Sequence, residues 1–325
     1  MNEPLVSVIC NAYNHGLYIR QALDGIVMQK TSFPFEVLVH DDASTDNTAD
    51  IIREYEKKYP ELIKPIYQTE NQYSQHIIIG KIYQYPRAKG RYFAFCEGDD
   101  FWTDPNKLQK QVEALEAHPE VDMCAHASTF LYPNGRERVL CTFSEPTIIP
   151  TERIIQYGGL AISTCSIMFR KEIRDQGWRF YEFWSYDQSL KILGSLRGGI
   201  LCLPDNMATY RFMSGPDSWT SRVLKDSAKE IAHTKKRIQL LEYLDEDTRG
   251  RFKEAINTAK RELTYKILWY EGDYRAMRQQ EYADQFRKLS AKKKALVYTG
   301  AVFPGLAKLL HKGFINKHLK GKMHG

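Results

Sequence analysis

Phe35-Glu36-Val37-Leu38-Val39-His40-Asp41-Asp42-Ala43-Ser44-Thr45-Asp46 is the stretch that decides the fold class. An apolar run of strand length breaks without a linker into carboxylates and hydroxyls of the kind that make a turn and cap a helix. The same pattern returns at Tyr92-Phe93-Ala94-Phe95-Cys96, which runs into Glu97-Gly98-Asp99-Asp100. Working outward, Val6 to Cys10 reads as a buried strand, and Tyr18 to Gln29 has helical spacing at Ile19, Leu23 and Ile26. A helix from Thr45 or Asp46 carries Ile51, Ile52 and Tyr55 and ends before Pro60. Ile63 to Tyr67 is a further strand, and Pro105 opens a helix with Leu108, Val112 and Leu115 on one face. Strands and helices alternating at this spacing predict an α/β fold with a mostly parallel, doubly wound sheet.

Beyond residue 120 the alternation loosens. Val121 to Ser128, Ser163 to Phe169 and Gly199 to Leu203 read as strands, and Gln188 to Leu196 as a helix just after Trp184-Ser185-Tyr186-Asp187. From about 222 the pattern is helical, first through Val223, Ile231, Ile238 and Leu241, then through Phe252, Ile256, Leu263 and Ile267. The expected division is a sheet domain over 1–220, a helical C-terminal region over 221–290 and a basic amphipathic tail over 291–325.

The formal net charge of +6 is unevenly distributed: residues 287–325 hold ten Lys or Arg and no Asp or Glu, leaving 36 basic against 40 acidic residues in the body. Nucleic-acid binding by that body is disfavoured. Lysines around Leu306, Leu309, Leu310 and Phe314 instead suit an anionic membrane surface. No apolar run is long enough to span a bilayer. The first residues lack a basic segment before an apolar one, so no signal peptide is expected. Cys10, Cys96, Cys124, Cys141, Cys165 and Cys202 are scattered without a CxxC pair and read as free thiols, as in a reducing cytoplasm.

Carboxylates massed at strand ends repel one another unless a cation joins them, and in an open α/β sheet the C-terminal strand edge is where ligands bind. A hard divalent ion, Mg²⁺ or Mn²⁺, carrying a diphosphate would supply the missing charge. Turn-making and helix-capping explain either cluster singly, but less well both at matching strand ends. A GxGxxG after the first strand and a GxxxxGK[ST] loop are both absent, so phosphates would be met by metal and scattered cations instead of a glycine loop.

In order and spacing, Val6-Ser7-Val8-Ile9 with Tyr13-Asn14, then Asp41-Asp42-Ala43-Ser44-Thr45-Asp46, then Glu97-Gly98-Asp99-Asp100 before Pro105 resembles the inverting family 2 glycosyltransferases of GT-A fold, including those of bacterial surface-polysaccharide synthesis. The resemblance implies transfer of one sugar from a nucleotide-sugar, a UDP-sugar by preference, to a hydroxyl of a saccharide or lipid-linked saccharide. It places Tyr13, with Asn11 beside it, against the base and Asp42, with Asp41, on the uracil edge. Asp99 and Asp100 correspond to the motif holding the ribose and the metal-bound diphosphate. Glu97 stands where the family often has the first Asp of DxD. Asp187 corresponds to the acceptor-side base, with Tyr186 replacing the usual acidic neighbour. Arg211 resembles the family's Tyr-Arg segment near the phosphates, with Met213 where His is common. A cytoplasmic enzyme, peripheral on the inner membrane face, follows from this reading. The alternatives are a GT-A-like nucleotidylyltransferase, whose usual Gly-, Arg- and Lys-containing loop is missing at Asn11 to Gly16, and a non-catalytic sugar-nucleotide-binding protein.

Overall fold

Val6–Ala12 forms the central strand β1, with Val8, Ile9 and Cys10 fully buried. A strand apolar on both faces needs cover on both, and it becomes the middle of a parallel sheet. Phe35–Asp41 (β2) and Tyr92–Phe95 (β4) flank it in parallel, and Ile63–Tyr67 (β3) adds outside β2. Ile19–Val27 (α1) and Thr48–Lys58 (α2) between them, and Lys107–Ala117 (α3) after them, each bury an apolar stripe, for α1 Ile19, Ala22, Leu23 and Ile26. This computed structural model describes residues 3–158, 162–184, 187–212, 214 and 226–303. Tyr186, Met213 and the tail from 304 onward lie outside them.

The remaining strands are Phe101–Trp102 (β5), Met123–Leu131 (β6), Glu137–Leu140 (β7), Thr147–Ile149 (β8), Met168–Arg170 (β9) and Ile200–Arg211 (β10). They extend the sheet to the order β3-β2-β1-β4-β9-β6-β10-β5, with β7 on β6 and β8 on β10. The long β6–β10 pairing is parallel, while β9 joins the two parallel halves by antiparallel pairing to β4 and β6. The fold is mixed α/β with flanking helices, including Thr151–Tyr157 (α4) and Asp187–Ser195 (α6), with the short helix Arg179–Phe183 (α5) between them in sequence.

Three local readings change. Ser163–Phe169 is a short 3₁₀ turn over Thr164–Ser166 followed by β9, because Ser166 Oγ and the Ser166 N–H both donate to the Ser163 carbonyl and close the chain into a turn. The last strand continues past Leu203 to Arg211, its register slipping at Leu203/Asn206 where Pro204 cannot donate to the ladder. Cys141 and Cys202 are joined as a disulfide, whereas Cys10, Cys96, Cys124 and Cys165 are the buried thiols expected.

By contacts the chain divides into two units, one of Met1–Leu131, Glu137–Gly177 and Ser185–Arg211, the other of Tyr132–Arg136, Trp178–Trp184 and the chain from Phe212 on. In the second, helices Ser227–Asp247 and Lys253–Glu271 bury Leu240, Leu241 and Leu244 and Ile256, Ala259 and Leu263. Trp178–Trp184, which the sequence reading assigns to the sheet domain, packs with these helices: the Phe180 N–H donates to Asp247 and Arg179 stacks 3.9 Å from the Tyr243 ring. Residues 291–302 are helical, with Leu296 and Val297 buried beside Tyr265, Tyr274, Met277 and Tyr282, so the packed body continues past 290. Among the described residues no helix is long and apolar enough to cross a membrane.

Candidate active site

Strand order reverses at β1, whose two neighbours continue in opposite directions through the sheet. Chains leaving the C-terminal edge there part to opposite faces and open a crevice. Ala12 pairs with Asp41 at that edge, and the Asp42 N–H donates to the Ala12 carbonyl at 2.9 Å. The two loops are then welded together. The Asn14 N–H donates to Ser44 Oγ (2.9 Å), the Thr45 N–H to Asn14 Oδ1 (2.8 Å), the His15 N–H to Thr48 Oγ1 (2.8 Å) and the Gly16 N–H to Asp46 Oδ2 (2.9 Å). A Cβ at Gly16 would sit 1.9 Å from Asn47 Oδ1 and 2.8 Å from Asp46 Oδ2, so a larger residue there would have to displace both side-chain ends. The weld holds Tyr13 at the rim with its side chain 42% exposed, unusual for a large aromatic in a rigid loop.

Asp41 and Asp42 are both 2% exposed. Burial raises the Asp41 carboxyl above the usual range, and its Oδ1 makes no hydrogen bond among the described residues. Asp42 instead grips the next loop, its Oδ1 accepting the Gln72 N–H at 2.8 Å and its Oδ2 the Tyr73 N–H at 3.0 Å. Each oxygen retains a second lone pair. Asp42 therefore also organises residues 71–75, a role the sequence did not signal.

The second cluster follows β4. Asn11 Nδ2 donates to Glu97 Oε1 at 3.3 Å, and the Gly98 N–H to the Asn11 carbonyl at 2.9 Å. Burial, then the neighbouring Asp187 and Asp99 carboxylates, push the Glu97 carboxyl up to about 8. That coupling brings Asp187, at the first turn of α6, to the acidic motif after β4. Asp99 stands 3.9 Å from His15 Nε2 and keeps its side chain 20% accessible. Asp100 is 1% exposed: Oδ1 accepts the Arg211 N–H at 2.9 Å, while Oδ2 makes no hydrogen bond among the described residues. Burial and then Asp99 raise its carboxyl well above the usual range. Arg211 lies between the Tyr18 and Phe101 rings, at 4.8 and 4.5 Å, and donates from Nη1 to the Asp99 carbonyl (2.6 Å) and from Nη2 to Gln21. It braces the backbone of the acidic motif. The structure thus assembles Asn11, Glu97, Asp99, Asp100, Asp187 and Arg211, with Tyr13 and Asp42 on the welded loops nearby.

Glu97 carries a pH prediction. The folded protein holds this carboxyl neutral up to about pH 8, while an ordinary Glu ionises at 4.5. A raised carboxyl pKa stabilises the fold fully below the unfolded value, and that contribution is lost as pH rises through the folded one. In metal-free protein, Glu97→Gln is expected to match wild type near pH 4.5 and to melt higher at pH 8, by roughly a few °C. Equal melting temperatures at pH 8 would mean that Glu97 ionises normally.

Among the described residues no three His, Cys, Asp or Glu side chains form a ready-made metal cage. The donor set nonetheless fits a hard divalent ion shared with a ligand. Accessible Asp99 and the Asp100 Oδ2 are oxygen donors in a crowd of carboxyl groups that a cation would let ionise, and Mg²⁺-type ions are commonly held by one or two carboxylates plus substrate phosphates.

The sequence profile described as glycosyl transferase family 2 matches residues 7–178, more than half of the chain and every element of this crevice up to β9. The chain belongs to glycosyl transferase family 2. An uncharacterized protein of Mycobacterium tuberculosis, Rv1520, is 37% identical over 210 residues, covering 63% of this chain and 58% of its own length. The chain therefore spans under two thirds of that relative. WfaP of Escherichia coli, named a UDP-Glc:alpha-D-GlcNAc-diphosphoundecaprenol beta-1,3-glucosyltransferase, is 28% identical over 190 residues, covering 58% of this chain and 70% of its own. Among solved structures, the mannosyltransferase PcManGT of Pyrobaculum calidifontis, in complex with GDP-Man and Mn²⁺, aligns at TM-score 0.55 with 18% identity, over 99% of this chain and 86% of its own. At that identity the match speaks for the family 2 fold, GT-A-like, and not for a substrate.

Proposed function

We propose that the protein is a metal-dependent, inverting glycosyltransferase that moves one sugar from a UDP-sugar to a hydroxyl of a saccharide or lipid-linked saccharide. The observation that carries this reading is the convergence of Asp187 with the Glu97–Asp100 motif beside the rim aromatic Tyr13, at the reversal of strand order. Tyr13 offers a face for the base, and Asp42 retains lone pairs for the uracil imide N–H. Asp99, the accessible carboxylate, would hold Mn²⁺ or Mg²⁺, and Asp100 fixes the Arg211 backbone beside it. When bound, the metal offsets the charge of the departing diphosphate. Asp187 accepts the acceptor hydroxyl proton as that oxygen bonds to the anomeric carbon and the bond to the UDP oxygen breaks on the opposite side. WfaP's named donor and lipid-linked acceptor favour a UDP-sugar and an acceptor of this class.

The test is a thermal-shift panel of UDP-glucose, UDP-N-acetylglucosamine and GDP-mannose with and without Mn²⁺, followed by nucleotide release. A donor that binds only the folded state raises Tm. Tyr13→Ala is expected to weaken UDP by about 1–3 kcal/mol, the worth of a base–aromatic stack. Calorimetry showing unchanged UDP affinity would move the base elsewhere, and a metal-independent preference for GDP-mannose would overturn the UDP assignment.

A further inference from the structure

The reading of Asp187 as base leaves open what aims it. Asp187 begins α6, and its Oδ2 accepts a hydrogen bond from Thr164 Oγ1. One turn later on α6, Lys191 Nζ donates to the Ile162 carbonyl at 2.7 Å. The head of the helix is thus stapled twice to residues 162–164. That short turn is itself held by buried polar groups on β5 and α3. Trp102 Nε1 donates to the Cys165 carbonyl at 2.9 Å, and Gln111 Nε2 to the Ser166 carbonyl at 2.9 Å. Lys107 is fully buried, donates to Gln111 Oε1 at 2.7 Å and lies 4.0 Å from the centre of the Trp102 ring. Ser163 Oγ donates to Ser128 Oγ at 2.8 Å on β6.

Burying a lysine and a glutamine costs stability relative to apolar residues, and a fully satisfied buried polar network returns a unique, rigid geometry. This network ties the mount of Thr164 to α3, and through Gln111 Nε2 and the Cys124 carbonyl (3.3 Å) to β6 as well. We propose that Thr164 is a positioning residue for Asp187: its hydroxyl occupies Oδ2 and fixes the carboxylate so that Oδ1 is the oxygen offered to the acceptor proton. This rests on the proposed role of Asp187. The Lys107–Gln111–Trp102 lock, acting on the carbonyls of Cys165 and Ser166, keeps that hydroxyl in register.

The test uses the full chain with Mn²⁺ and UDP-glucose or UDP-N-acetylglucosamine, water serving as acceptor, and reads UDP release alongside UDP affinity by calorimetry. Thr164→Val keeps the side-chain shape and removes the donor, so kcat is expected to fall about 10²-fold, the effect of a misplaced catalytic group, with UDP affinity unchanged. Thr164→Ser restores the donor and is expected to restore turnover. On an Asp187→Asn background, Thr164→Val should cost nothing further, because the two act as a unit. Wild-type turnover in Thr164→Val beside an inactive Asp187→Asn overturns this inference alone. A full additional loss in the double variant also overturns it. Wild-type turnover in Asp187→Asn overturns the base assignment itself.

Discussion

Asp187→Asn is expected to leave UDP affinity close to wild type while lowering sugar transfer by about 10²–10⁴-fold, the usual worth of a positioned general base. The reasoning is geometric. Asp187 stands at the head of a helix stapled to the 162–166 turn, and its charge is felt by Glu97 in the acidic motif. Asn keeps the shape and can still accept the Thr164 hydrogen bond, so the crevice is preserved and only the proton acceptor is lost. Measuring kcat and KM separately for the donor discriminates this from a binding defect. A fall in donor affinity equal to the fall in kcat/KM would place Asp187 on the nucleotide-sugar and not on the acceptor.

The second large effect concerns the metal. Asp99→Asn is expected to remove the Mn²⁺ dependence of UDP binding, giving the affinity that wild type shows in EDTA, about 10²-fold or more below the metal-loaded value if the ion contributes the several kcal/mol typical of charge stabilisation. Asp99 carries this because its side chain is accessible while that of Asp100 is sealed against Arg211. Asp100→Asn should weaken the same binding and raise Tm relative to wild type increasingly as pH rises: its carboxyl is held above the usual range by burial and by Asp99, so the amide relieves a penalty that grows with pH. UDP affinity indifferent to EDTA and to Asp99→Asn alike would remove the metal from this crevice.

Much of this was legible in the chain because parallel strands covered on both faces must be continuously apolar. Val6 to Cys10, Val37 to His40 and Tyr92 to Phe95 announce themselves that way, and the carboxylates after the last two mark the binding edge. The second half of the sheet was harder to read. β9 is three residues long, β5 two, and β10 is interrupted at Pro204, too little for a period to register. The Cys141–Cys202 bond joins residues whose spacing carries no signal.

Local chemistry alone determined the alternating α/β class, the crevice-forming edge and the identity of its carboxylates, since strand length, helix spacing and residue type are properties of neighbours in sequence. Only the tertiary structure decided how those carboxylates differ. It sealed Asp42 onto the Gln72 and Tyr73 amides and Asp100 onto Arg211, left Asp99 accessible, and brought Asp187, hydrogen-bonded by Thr164, close enough to act on Glu97. Burial, coupling and aim depend on which distant segments meet, and that is fixed where β9 and β10 join the sheet.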